Sequence, residues 1–281
     1  MSGPLYRKKK SAYFRITHSR VFRKSSSVIL PLLLGVLIFA LWQTQVLHAI
    51  LHTDTFTLPL PSRINSIIAG NQGKILTNTA ATLIAAISGL VIGSFAGYGI
   101  AVLAALFPRW GAGGLSIVAA FNAIPIVALA PVMTNWTKDV SHEASVRSMV
   151  AKILVVVIVC VANMSINAFR GLTELPPFSE DLMAIMAAPR KVVFRKLRMP
   201  NSVPYIFTAL KVSVPSSVIT ALVSEYFAEY VIGVGRQIRE NIVLAQYSTA
   251  WAYITVACLI GIIMYALLML VQGIVLKRRG L

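Results

Sequence analysis

The sequence predicts an all-α membrane protein with six transmembrane helices, and three observations carry that prediction. The 281 residues are 57% hydrophobic and only 12% charged, with a mean hydropathy of +0.77. A soluble domain usually carries about 25% charged residues, so too little polar surface is left for a water-facing shell. The apolar residues also gather into six runs, each near the roughly 20 residues that a helix needs to cross a hydrocarbon core. Finally, the runs are continuous rather than alternating, which excludes barrel strands and leaves helices as the spanning structure.

In chain order the spans are expected at about 28–46, 79–107, 115–133, 149–169, 203–223 and 251–276. Residues 1–27 form a basic arm ahead of this six-helix domain, 28–281. In the arm, Tyr6, Tyr13, Phe14 and Phe22 alternate with cations, a pattern suited either to anionic headgroups or to a solvated tail. The first apolar run is longer than a signal-peptide core and no small-x-small site follows it, so it is expected to remain as a span.

Lysine and arginine set the topology. Of the 26, eighteen fall in the arm, at Arg109, in the 170–202 loop and in the tail. Seven fall on the opposite side: Arg63, Lys74, Lys138, Arg147, Lys152, Arg236 and Arg239. The positive-inside rule then puts both termini in the cytoplasm. Most of the +17 net charge is thereby accounted for as topology, with no nucleic-acid partner expected.

Within the spans, Gly89, Gly93 and Gly97 place a small residue every four positions on one helix face. Such a face lets another helix approach closely, and packing inside the chain is expected ahead of a dimer seam. The third span carries Asn122, Pro125 and Pro131, and prolines at membrane depth require protein or a water-lined cavity around them. The fifth span is the most polar, with Lys211, Ser213, Pro215, Ser216 and Ser217, and it ends at Glu225 and Glu229. Lys211 fits a pathway or gate lining, a side chain reaching back to the cytoplasmic headgroups, or a structural ion pair. Glu225 and Glu229 fit an external gate or a solvated face. The motif search finds no phosphate loop, nucleophile elbow, CxxC pair or HExxH, so no catalytic site and no metal site are expected. His48 and His52 share a helical face but lack a carboxylate cluster beside them.

The longest cytoplasmic connection, 170–202, is the most informative segment. Pro176 and Pro177 stop the preceding helix, and Ser179 is expected to cap a new one that opens on Glu180 and Asp181. Leu182, Met183, Ile185 and Met186 make this short helix unusually apolar for an exposed loop. Pro189 is expected to end it at Ala188. A second segment interleaves Val192, Val193, Phe194 and Leu197 with five cations, as in an interfacial helix. An exposed apolar knob of this kind fits a partner's groove, or else an interfacial helix lying wholly on the bilayer.

This loop resembles the EAA loop of ABC importer permeases, roughly EAAxxxGAxRxxxFxxIxLP. Asp181, Leu182 and Met183 stand at E-A-A, Ala187 at the glycine, and Arg190, Phe194 and Pro200 match. The stretch 121–136, FNAIPIVALAPVMTNW, is similar to the family's third-span motif, with Asn122 where a basic residue is common. The segment 204–225, PYIFTALKVSVPSSVITALVSE, resembles P-x-I-x-x-G-L-R…V-x-A-E, with Lys211 at the arginine and Glu225 at the glutamate. Gly233 and Gly235 follow as in G-L-G, whereas the 134–148 loop departs from the short W-F-G connection.

The resemblance is to the nitrate/sulfonate/taurine/bicarbonate branch of the binding-protein-dependent type I family. It implies a type I permease fold in a bacterial inner membrane, working as a dimer with itself or a similar chain. A coupling helix at about 179–188 would carry Glu180, Asp181, Leu182, Met183, Ile185, Met186 and Ala187, with Arg190 beyond it, against a cytoplasmic ATPase. ATP and Mg would bind in that ATPase and not in this chain, and an external binding protein would deliver the solute. Asn122, Pro125, Lys211, Ser213, Ser216, Ser217 and Glu225 would line the pathway or its gate. The solute would be a small anion or a small heterocycle such as a pyrimidine thiamine precursor. An ion-coupled secondary transporter is the competing reading, although no internal repeat or pair of midplane carboxylates supports it.

Overall fold

A computed structural model of the chain describes residues 20–227 and 232–278. The first nineteen residues of the basic arm, and Glu229, lie outside them. The described residues are helical apart from short connections, and they divide into two units, residues 1–66 and 67–281.

The first unit contains α1 (Arg20–Gln43) and the short α2 (Val46–Leu51). The apolar part of α1, Ile29–Gln43, is shorter than a full span. Gln45 and His52, both left-handed, bracket α2. The His48 ring nitrogen Nε2 lies 2.6 Å from the Leu58 carbonyl oxygen, which gives this histidine a structural partner. Asp54 accepts the Thr57 N–H at 2.8 Å, and that bond holds its carboxyl below the ordinary value. The unit boundary falls inside α3 (Pro61–Gly70).

The second unit is the bundle. It comprises α4 (Gln72–Leu106), α5 (Pro108–Ala120), α6 (Ile126–Trp136), α7 (Ala144–Thr173), α8 (Ser179–Ile185) and α9 (Arg190–Val193). A π-helical turn, Phe194–Arg198, then leads into α10 (Met199–Phe227), followed by α11 (Val234–Val243) and α12 (Tyr247–Arg278). Among the described residues four helical stretches, α4, α7, 190–227 and α12, are long and apolar enough to cross a membrane, and the bent pair 113–123 and 126–136 makes a fifth if it counts as one span, short of the six expected.

The broadest interface pairs α4 with α7. Lipid tails are as apolar as leucine, so close van der Waals packing has to hold such helices together. The glycine face supplies it: a Cβ on Gly93 would stand 2.6 Å from Cys160 Cβ, and one on Gly97 2.6 Å from the Val161 carbonyl oxygen. The face is therefore spent on packing inside the chain. Cys160 and Cys258 are both free thiols.

The third apolar run is not one straight helix. Its two halves, Gly113–Ala123 and Ile126–Trp136, meet at 97° across a 3-10 turn, Phe121–Ala123. Pro125 disfavours helical backbone at Ile124, which is extended (φ −74°, ψ 123°), and the helix breaks there. Similarly, the loop's second segment is not a separate interfacial helix. It runs through the wide π turn straight into α10, and Pro200, which has no N–H to return, lies just past that turn.

Candidate functional site

The 170–202 loop closes on itself at its base. Asn201 Nδ2 donates to the Gly171 and Glu174 carbonyls at 2.8 and 3.0 Å, tying the start of α10 to the end of α7. Gly171 permits that crossing, because a Cβ there would stand 2.8 Å from Ser202 Cα and Tyr205 Cβ. Beneath it, Phe194 packs on a buried cluster that includes Ala105, Met164 and Leu172.

From this base α8 projects. Phe178, left-handed at φ 61°, is the residue ahead of the helix, and Ser179 opens it without capping it. The Ser179 hydroxyl instead donates to the Pro176 carbonyl at 2.6 Å. The helix also ends at Ile185, three residues before the position that Pro189 dictates. Met186 caps it, Ala187 turns left-handed at φ 48°, and Ala188 N–H returns to the Met183 carbonyl at 3.0 Å. That six-to-one bond is a Schellman ending, with alanine where glycine usually stands. Phe178 and Ile185 are each 82% exposed, Met186 70% and Leu182 58%, so the knob stands open to a partner. Met183 faces partly inward, Asp181 is exposed, and Glu180 accepts from Arg198 Nη2 at 2.7 Å.

The residues expected along the pathway separate into two groups. Asn122 and Pro125 are exposed at the 97° break, and Asn122 Nδ2 lies 3.4 Å from Asn163 Oδ1 of α7. Lys211 and Ser216 are partly buried, and among the described residues Lys211 forms no ion pair. Ser213, Ser217 and Glu225 are instead completely buried between helices.

Glu225 is the centre of a network whose other charged member the sequence did not single out. Lys152 and Glu225, both fully buried, pair at 3.1 Å. Glu225 also accepts from Thr82 Oγ1 at 2.9 Å and from Gly235 N–H at 2.9 Å. Lys152 donates in addition to the Ile232 carbonyl at 2.9 Å, while Asn78 Oδ1 receives the Gly233 N–H at 2.9 Å. Helices α4, α7 and α10 and the turn into α11 are thus joined at one point. Gly233 (φ 149°) and Gly235 are required there because a side chain at either would run into the Glu225 carboxylate or the Leu222 carbonyl. Its place in the sequence assigns Lys152 to the outer side, yet it lies three residues inside an apolar run, where a lysine needs a partner.

The model of the binding-protein-dependent transport system inner membrane component covers residues 89–280. The chain belongs to this family. Relatives include the formylaminopyrimidine transport permease protein of Halalkalibacterium halodurans, 24% identical over 92% of this chain and 98% of that one. The riboflavin transport system permease protein of Chloroflexus aurantiacus is 26% identical over 86% of this chain and 87% of its own length. The nitrate import permease protein of Leptolyngbya laminosa is 27% identical over 51% and 46%.

The protein is accordingly a multi-pass inner-membrane permease subunit of an ABC importer, a transport component and not an enzyme. Among its described residues no three His, Cys, Asp or Glu side chains gather to hold a metal ion.

Proposed function

We propose that this permease forms the membrane pathway for a small polar solute, as a dimer with itself or a similar chain. Its termini and the 170–202 loop face the cytoplasm, with the basic arm 1–27 preceding the membrane domain 28–281. Two cytoplasmic ATPases, which bind ATP and Mg, each hold one α8 knob in a surface cleft. Their closure on ATP rocks the bundles between inward- and outward-facing packings, the nucleotide biasing the equilibrium by binding one state better. An external binding protein supplies the solute to the open side.

The observation that carries this reading is the knob itself: Leu182 and Ile185 exposed on a seven-residue helix, with Phe178 and Met186 exposed at its two ends, between two membrane spans. An apolar side chain left in water at such a place is stabilised by a partner's groove. Asn122, Pro125, Lys211 and Ser216 supply the accessible polar and irregular positions of the pathway. The cation at Lys211, which forms no ion pair among the described residues, and the uncharged amide at Asn122 accommodate either a small anion or a heterocycle rich in acceptors. The test is Leu182→Arg, measured for membrane level and uptake. Uptake should be lost with normal insertion, and normal uptake by a correctly inserted variant would refute the coupling role.

A further inference from the structure

Between the end of α4 and the loop lies a cavity of about 490 Å³. Its walls are of two kinds. Ala105, Leu106, Val193 and Phe194 are apolar, whereas Glu180, Arg190 and Arg198 bring three charged groups to the same space. Glu180 engages Arg198 at 2.7 Å and so offsets one arginine. The Arg190 guanidinium forms no ion pair among the described residues, and neither do its neighbours Lys191, Arg195 and Lys196. The pocket therefore carries one uncompensated cation, and Arg198 keeps further N–H donors after serving Glu180.

The apolar wall continues into the end of a membrane helix. Leu106, which lines the cavity, and the following Phe107 are 52% and 62% exposed, so apolar side chains at this edge are left uncovered at the end of an apolar helix. A free inorganic phosphate would answer the guanidinium but leave the apolar wall bare. A zwitterionic headgroup would bring its ammonium against a loop that already holds four unpaired cations. An anionic phospholipid matches both walls, with charge for the arginines and an acyl chain for Leu106 and Phe194.

We propose that this pocket binds the headgroup phosphate of an anionic phospholipid, held by Arg190 with Arg198 as second donor. Because Glu180, Met183 and Ala184 of α8 form another wall, the bound lipid props the coupling helix from behind, and the membrane's anionic content tunes coupling. The inference rests on the reading that this loop lies at the cytoplasmic bilayer surface against the ATPase.

The test uses the purified permease with its ATPase in detergent, titrated with phosphatidylglycerol or phosphatidylcholine, with retained lipid measured by native mass spectrometry. The wild type should retain phosphatidylglycerol in preference. Arg190→Gln should weaken that retention about tenfold or more, the scale of one charge-assisted hydrogen bond. Lys191→Gln makes the same charge change outside the pocket and should leave retention nearly unchanged. Equal losses in the two variants, or no loss in either, would overturn the site in favour of unspecific attraction. Displacement of the lipid by excess inorganic phosphate would overturn it in favour of a soluble phosphate compound. The coupling reading fails separately: lipid preference that depends on Arg190, together with full uptake by Leu182→Arg, leaves the pocket standing and removes the knob's role.

Discussion

Lys152→Met removes one partner of a pair that no water reaches. Both side chains are 0% exposed, so the Glu225 carboxylate would be left with Thr82 Oγ1 and Gly235 N–H as its remaining donors. Breaking a buried ion pair from one side costs about 3–5 kcal/mol, mostly because a charge remains buried without its counterion. At about 2–4 °C per kcal/mol, that amounts to a fall in Tm on the order of 10 °C. The assay is thermal unfolding of the purified protein in detergent, followed by loss of the folded species on size-exclusion chromatography. The decisive comparison is the double variant Lys152→Met/Glu225→Gln. It removes both charges and should recover part of the loss, giving a coupling energy of about 2 kcal/mol or more between the sites. An unshifted transition for Lys152→Met, or a double variant less stable than the single one, would refute the claim that the pair acts as a unit.

Other positions give simpler outcomes. Ala187→Gly should keep uptake and raise loop stability by up to about 1 kcal/mol, since glycine adopts the left-handed turn without a Cβ penalty, whereas Ala187→Val should lower uptake. Gly93→Val should reduce the folded, inserted population, because its Cβ would stand 2.6 Å from Cys160 Cβ and 2.8 Å from the Val157 carbonyl oxygen. An overpacked core typically costs about 1–3 kcal/mol, measurable as a lower Tm. Lys211→Met, which breaks no ion pair among the described residues, should leave membrane level and Tm near wild type while changing uptake; a large loss of Tm would place Lys211 in the scaffold instead.

Much of this was legible because the bilayer imposes length and composition on any chain that crosses it. The apolar runs at 149–169, 203–223 and 251–276 each fall inside a long helix, and the run at 79–107 does so but for its last residue. The glycine spacing at 89, 93 and 97 identified a packing face, since nothing but close approach explains small residues at that interval. The knob was legible from Leu182, Met183, Ile185 and Met186 because apolar residues rarely sit in a charged loop without a purpose. Its boundaries were not. Pro189 marks where a helix cannot continue, but the Schellman turn at Ala187 ended it sooner. Likewise Pro125 announced a disturbance without its 97° size, which depends on how the two halves pack. The Lys152–Glu225 pair lay furthest from view, because 73 residues separate its members and only the folded bundle brings them together.

The placement of these polar ties bears on how a push at the knob travels. At one end, Asn201 fastens α10 to α7, and at the other the Lys152–Glu225 network fastens α4, α7 and α10 to the turn before α11. Between the two ends α4 and α7 are in close contact, since a Cβ on Gly89, Gly93 or Gly97 would stand 2.5, 2.6 or 2.6 Å from Val156, Cys160 or Val161. Close-packed interiors pass displacement on rather than absorbing it. Under the proposed coupling role, force applied through α8 is expected to pass along α7 and α10, which polar ties join at both ends. The half-helix α6, cut from α5 by the extended Ile124 and Pro125, is the element of this bundle with a joint of its own. Under the proposed pathway role, a change of shape within one chain is expected at residues 121–125, where Asn122 Nδ2 lies 3.4 Å from Asn163 Oδ1, rather than along the α4–α7 seam.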